Sequence, residues 1–235
     1  MSALHRILRA AAHWGGAALA LAGAVSVHAA DLTPTEQRWL QGAWPLVTYA
    51  KSIGMPLDIV VQPQDSPQAA PLAMAFIDGR CKLVLSMRGN PQATDTLRDT
   101  EPELLDATLE LMAAHELGHC HRYLEGAWFQ KPAGFEAGAD APRGAAAARR
   151  EEGYGDLVGL AWIRAHHPEL YGRLHAWLLN ERETDHTPGS AHDTVAWVRL
   201  ARDPASLGAG SLFDAPRDLW ARGGRTSGER GALTD

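Results

Sequence analysis

The chain has 235 residues, of which 46% are hydrophobic and 21% charged, and its formal net charge is -6. That length and balance suit one packed, globular domain. They give no broad basic field, which argues against nucleic acid as a partner.

The first thirty residues, MSALHRILRAAAHWGGAALALAGAVSVHAA, open with Arg6 and Arg9, pass through an Ala/Gly/Leu/Val run and end in small residues. This is the layout of a cleavable secretory signal. Val27 and Ala29 suit the small-residue positions, so cleavage is expected after Ala29. The apolar run, from Gly15 to Val27, is shorter than the roughly 18 residues a membrane span needs. An uncleaved anchor is the competing reading. No later segment is long and apolar enough to span a bilayer, so the mature protein is expected in the periplasm or outside the cell, with no stable membrane span. There the two cysteines, Cys81 and Cys120, either pair or remain buried thiols.

The mature chain begins with a helix. Thr33 and Glu36 form a capping box, Pro34 suits the first turn, and Trp39, Leu40, Ala43, Trp44 and Val47 give an apolar face. Pro45 is a candidate kink, and Gly54 ends the element. A short strand is expected in MPLDIVVQPQ. A hairpin follows, in which two apolar runs flank Asp78-Gly79 and Cys81, Leu83, Leu85 and Met87 share one face. Gly89-Asn90-Pro91 closes it.

From Thr100 the pattern is helical. Thr100 and Glu103 suggest a capping box, Pro102 stands in the first turn, and Gly126 ends the run. Leu104, Leu105, Thr108, Leu111, Met112, His115 and His119 fall on one face. A long loop containing Trp128, Phe129 and Phe135 leads to a second strong helix, AAAARREEGYGDLVGLAWIRAHHP. Its glycines invite close packing against another helix. The run ARREE is expected to solvate that helix, and His121, His166, His167 and His175 to lie on the surface. Helices in ELYGRLHAWLLNERE and after TDHTPGSAHDT complete the domain, and the polar, Gly-rich C-terminus is expected to be flexible. No internal repeat is present.

The segment HELGH, His115 to His119, carries chemistry. Histidines four apart on a helix can both reach one metal ion, and Glu116 projects where it can touch a metal-bound water. A catalytic zinc site usually has three protein ligands, so one more is required. Glu152 and Asp156, again four apart, offer a ligand and a partner for the free ring nitrogen of a zinc histidine. Glu151 competes as ligand, but four residues on it meets Gly155 in place of an acid.

HELGH followed by EEGYGD resembles the gluzincin metallopeptidases, and most closely their small, single-domain M48-like members. In gluzincins a glutamate on a second helix is the third zinc ligand and an aspartate four residues on supports a zinc histidine. The resemblance spans roughly residues 70 to 200. It implies an α+β, mainly helical zincin-like domain, with a small antiparallel sheet packed on the HExxH helix and an edge strand that binds an extended peptide. A loop similar to the family's His-Pro loop contains His186, although Thr187 separates it from Pro188. The expected organisation is a signal peptide over 1–29, a metallopeptidase domain over 30–205 and a flexible tail over 206–235.

The expected activity is that of an exported zinc endopeptidase. It holds Zn2+ with His115, His119 and Glu152 and supports it through Asp156. A zinc-activated water attacks a polypeptide substrate, with Glu116 as general base. The oxyanion donor is left among His192, His186, Tyr154 and Arg199, with His192 preferred and Asp193 placed to orient it. A non-catalytic exported metal-binding or protein-binding domain is the alternative. A closed structural zinc site there would recruit Cys120 or His121 as a fourth ligand.

Overall fold

The computed structural model describes residues 32–64, 69–127, 144–184 and 187–223. The expected signal peptide, His186 and the segment with Trp128, Phe129 and Phe135 lie outside them.

Helix α1, Pro34–Ser52, starts at the expected capping box: Thr33 and Glu36 exchange hydrogen bonds at 2.7 and 3.2 Å. It continues through Pro45, and Gly54 turns the chain with a φ of 72°. Strands β1 (Leu57–Pro63), β2 (Leu72–Ile77) and β3 (Arg80–Arg88) follow. The β2–β3 turn places Asp78 and Gly79 at φ 53° and 74°, the left-handed pair a primed hairpin turn requires. The small sheet is mixed, not antiparallel as expected. Its order is β1-β3-β2, with β3 antiparallel to β2 and parallel to β1. β3 is the middle strand, and β1 and β2 are the two outer ones.

Helix α2, Pro91–Asp99, is not expected from the sequence. Asn90 caps it through Gln92 N–H at 3.1 Å, so the Asn-Pro step that ends β3 also starts a helix. Thr100 closes α2, which displaces the expected capping box. Helix α3, Pro102–Leu124, begins from Glu101 with no side-chain cap. Helices α4 (Ala145–His166), α5 (Tyr171–Thr184) and α6 (Val195–Leu200) follow, and a helical segment covers 217–223.

The fold is α+β and mainly helical, and α3 is its axis. Its Leu109, Ala113, Ala114, Leu117 and Cys120 are all buried, with α1, β2 and α4 packed around it. Cys120 forms a disulfide with Cys81, joining α3 to the central strand. Trp39 donates to the Ala93 carbonyl at 3.0 Å and ties α1 to α2. The domain also extends past the boundary expected at 205. Phe213 and Trp220 are buried, and each is held through hydrogen bonds to α4: Tyr154 Oη to the Phe213 carbonyl, and Trp220 Nε1 to the Arg150 carbonyl. These aromatics return enough apolar surface to the core to order a segment whose polar composition argued for flexibility. No helix of the described residues is long and apolar enough to cross a membrane.

Candidate metal centre

Helices α3 and α4 approach closely enough to share a site because glycines line the seam. A Cβ on Gly155 would lie 2.8 Å from Cε1 and Nδ1 of the His115 ring. A Cβ on Gly118 would meet Val158 at 3.2 Å and the Gly155 Cα at 3.4 Å. The close packing expected of the α4 glycines is therefore present, and its purpose at Gly155 is to admit an imidazole.

Within this seam three side chains converge. His115 Nε2 and His119 Nε2 are 2.9 Å apart, and Glu152 places one carboxylate oxygen 3.3 Å from the first and the other 3.5 Å from the second. All three residues are buried. Among the described residues this is the one group of His, Cys, Asp and Glu side chains placed to hold a metal ion. A small tetrahedral cation with bonds of about 2.0–2.1 Å wants donors roughly 3.3 Å apart, so the set fits after sub-ångström adjustment. Two imidazoles and a carboxylate suit a borderline divalent cation.

Comparison with protein families, curated proteins and solved structures finds no match for this chain.

Asp156 lies where the Glu152 spacing puts it, one turn along α4, with Oδ1 3.0 Å from His115 Nδ1. That contact fixes the ring so that Nε2 faces the other donors. Asp156 is itself held by two residues that sequence reasoning misses. Arg182 of α5 grips both its oxygens, Nε to Oδ2 at 2.8 Å and Nη2 to Oδ1, and the Thr194 hydroxyl donates to Oδ2 at 2.6 Å. A signal for Arg182 is present: Tyr171, Leu174, Leu178 and Arg182 form the buried stripe of α5. A cation on such a stripe needs a buried acid. Thr194 carries no such signal.

The charges are mutually supported. Burial resists ionisation of Asp156, but the Arg182 charge and the His115 contact hold its carboxyl well below the usual range. Burial also resists charge on Glu152, and the histidines beside it overcome that. Burial opposes a proton on His115 too, yet hydrogen bonds to Asp156 and Glu152 push this imidazole up to about 10. Burial brings His119 down to about 3, which leaves its ring neutral.

Glu116 is half-buried and stands against the sheet. Burial pushes its carboxyl up to about 8; the His115 charge opposes this, the Glu152 charge adds to it, and a hydrogen bond from the Met74 backbone of β2 opposes it. Glu116 thus touches an edge strand and neighbours the group that could hold an ion.

The remaining candidates separate sharply. His192 joins the site: it is buried, and its Nε2 is 3.8 Å from a Glu152 oxygen. Asp193, expected to orient it, is engaged by the Gly189 N–H at 3.0 Å and by Arg149 at 3.3 Å. Tyr154 does not reach the site, because its buried hydroxyl donates to the Phe213 carbonyl at 2.8 Å. Arg199 does not either; it is exposed and paired with Glu183 at 2.7 Å. Glu151 is excluded as a ligand by a buried two-point ion pair with Arg122, at 2.9 and 3.0 Å. The ARREE run, expected to be solvated, is turned inward at Arg150, Glu151 and Glu152, because α4 is covered on this side by α3 and by Trp220. His175, expected on the surface, is buried and bonded to the Val198 carbonyl at 2.8 Å. Of the two alternative fourth ligands of a closed zinc site, Cys120 is consumed in the disulfide, and His121 stacks on Phe213 at 4.2 Å between centroids.

Proposed function

We propose that this chain is an exported zinc-dependent endopeptidase of the gluzincin type. The observation that carries the reading is the convergence of His115, His119 and Glu152 within 3.5 Å of one another, beside a glutamate that leans on an edge strand.

His115, His119 and Glu152 would hold the cation, and Asp156, clamped by Arg182 and Thr194, keeps the His115 ring turned toward it. When bound, zinc lowers the pKa of a water molecule and polarises the scissile carbonyl. Glu116 accepts the water proton on a carboxylate oxygen and returns it to the leaving amine nitrogen. His192 offers an N–H to the oxygen on which negative charge develops. The outer edge of β2 pairs with no described strand. It offers its backbone groups to an extended polypeptide, a recurrent mode of peptide recognition.

A three-ligand group with an adjacent acid favours catalysis over a structural zinc, because Cys120 is consumed in the disulfide and His121 is not in the group placed to hold an ion. The test is hydrolysis of an unfolded protein with and without a chelator, beside Glu116→Gln. Loss of cleavage in both arms, with zinc content retained in the variant, is expected. Cleavage untouched by both treatments rejects the proposal.

A further inference from the structure

Resting on the peptidase reading, a second feature beside the same site bears on which polypeptides it takes. Phe76 is among the most exposed large apolar residues described, at 37%. It is not isolated: its ring stacks on Tyr123 of α3 with centroids 5.2 Å apart and planes 3° from parallel. Tyr123 lies one turn beyond His119, and burial together with the charges of Glu116, Glu151 and Glu152 pushes its phenol up, which places it within the field of the site.

The two rings belong to β2 and α3, the elements that also carry Met74 and Glu116. Met74, whose backbone reaches Glu116, and Phe76 are two residues apart on β2 and therefore share a face. Their partners across the ladder, Leu83 and Cys81, are buried, so this is the face turned toward α3. From Met74 to Phe76 the strand advances about 7 Å. From Glu116 to Tyr123 the helix advances about 10 Å in the same sense. The stack thus bridges β2 and α3 just past the metal ligands. An extended chain laid along the β2 edge, with its reacting carbonyl beside Glu116, brings the side chain two residues away against these rings.

We propose that Phe76 and Tyr123 form an aromatic platform that selects an aromatic or large aliphatic substrate side chain two residues from the bond cleaved. Packing against paired rings rewards apolar area and planar shape. A polar or very small side chain leaves the platform wet and gains nothing from it.

The test uses paired fluorogenic peptides that carry Phe or Ala two residues to either side of the cleaved bond. The zinc-loaded enzyme, Phe76→Ala and Tyr123→Phe are compared by kcat/KM. Binding of the same peptides is measured on Glu116→Gln. The wild type should prefer Phe over Ala at one of the two positions by about three- to tenfold. Phe76→Ala should bring that ratio near one while the Ala peptide is still cut, and Tyr123→Phe should preserve it. Glu116→Gln should bind the Phe peptide more tightly by a similar factor, and Phe76→Ala in that background should abolish the difference. A preference that survives Phe76→Ala, in hydrolysis or in binding, overturns the platform. Selective binding without hydrolysis of any peptide by the wild type leaves the platform standing and overturns the peptidase.

Discussion

Replacing Gly155 with alanine should injure metal binding more than it injures the fold. The added methyl would sit 2.8 Å from two atoms of the His115 ring and 2.9 Å from a third. Carbon contacts settle near 3.5 Å, so the ring or the helix has to yield by about 0.7 Å. The backbone has little room to do so, since a Cβ on Gly118 would itself lie only 3.4 Å from the Gly155 Cα. Functional side chains tolerate displacements of about 0.5 Å. Disturbing the shell around a metal histidine typically lowers affinity about 10–100-fold, equivalent to about 1.4–2.7 kcal/mol. Stability should change less. Alanine improves helix propensity by about 1 kcal/mol, while overpacking costs about 1–3 kcal/mol. Zinc affinity measured by competition with a chromogenic chelator, alongside thermal melting, tests the balance. Gly172→Ala is the control, because a Cβ there would meet nothing within 4 Å. If Gly155→Ala binds zinc within twofold of the wild type, the seam is not what positions His115.

Other perturbations read the supporting framework. Arg182→Ala strands the buried Asp156 charge and should destabilise the domain by about 3–5 kcal/mol. Arg182→Lys keeps the charge but loses the two-point grip, so it should melt closer to the wild type yet bind zinc about tenfold more weakly; equal affinity would remove Arg182 from the site. Removing the disulfide with Cys81→Ser and Cys120→Ser opens a loop of sequence separation 39 and should cost about 4 kcal/mol in denaturant unfolding; an unchanged midpoint refutes this. Glu36 gives a pH signature. Burial resists its ionisation, but hydrogen bonds from Arg88 and Thr33 outweigh it and hold the carboxyl below its ordinary 4.5. The unfolded chain then takes up that proton first as pH falls, so Glu36 contributes stability above about 4.5 that is lost on acidification. Melting temperatures between pH 3 and 6 should fall less steeply for Glu36→Gln than for the wild type, and parallel curves would refute the assignment.

The legible parts of the molecule are those governed by short spacings. His115, Glu116 and His119 declare themselves because a helix puts i and i+4 on one side. The same rule favours Glu152 over Glu151 through Asp156, and in the structure Glu152 faces both histidines while Glu151 is bound to Arg122. The Thr33 cap and the Asp78-Gly79 turn are equally local. What escapes depends on contacts distant in sequence. Arg182 meets Asp156 across 26 residues and Thr194 meets it across 38, so neither partner is named by its neighbours. The parallel β1–β3 pairing joins strands that are not consecutive in the chain, which strand composition does not encode. Helix α2 is short and polar, with few apolar residues to mark its buried side, and its Asn-Pro start resembles a strand stop. The C-terminal segment reads as flexible because Phe213 and Trp220 are sparse anchors in polar sequence.

Cys120 is the residue immediately after His119, and its sulfur is fastened to the middle strand. In reducing surroundings the two thiols stay separate and only packing keeps that ring in register with the strand. Oxidation converts the register into a covalent fact. The bond thus holds His119 beside the middle strand by covalent linkage, whether or not an ion sits against its ring.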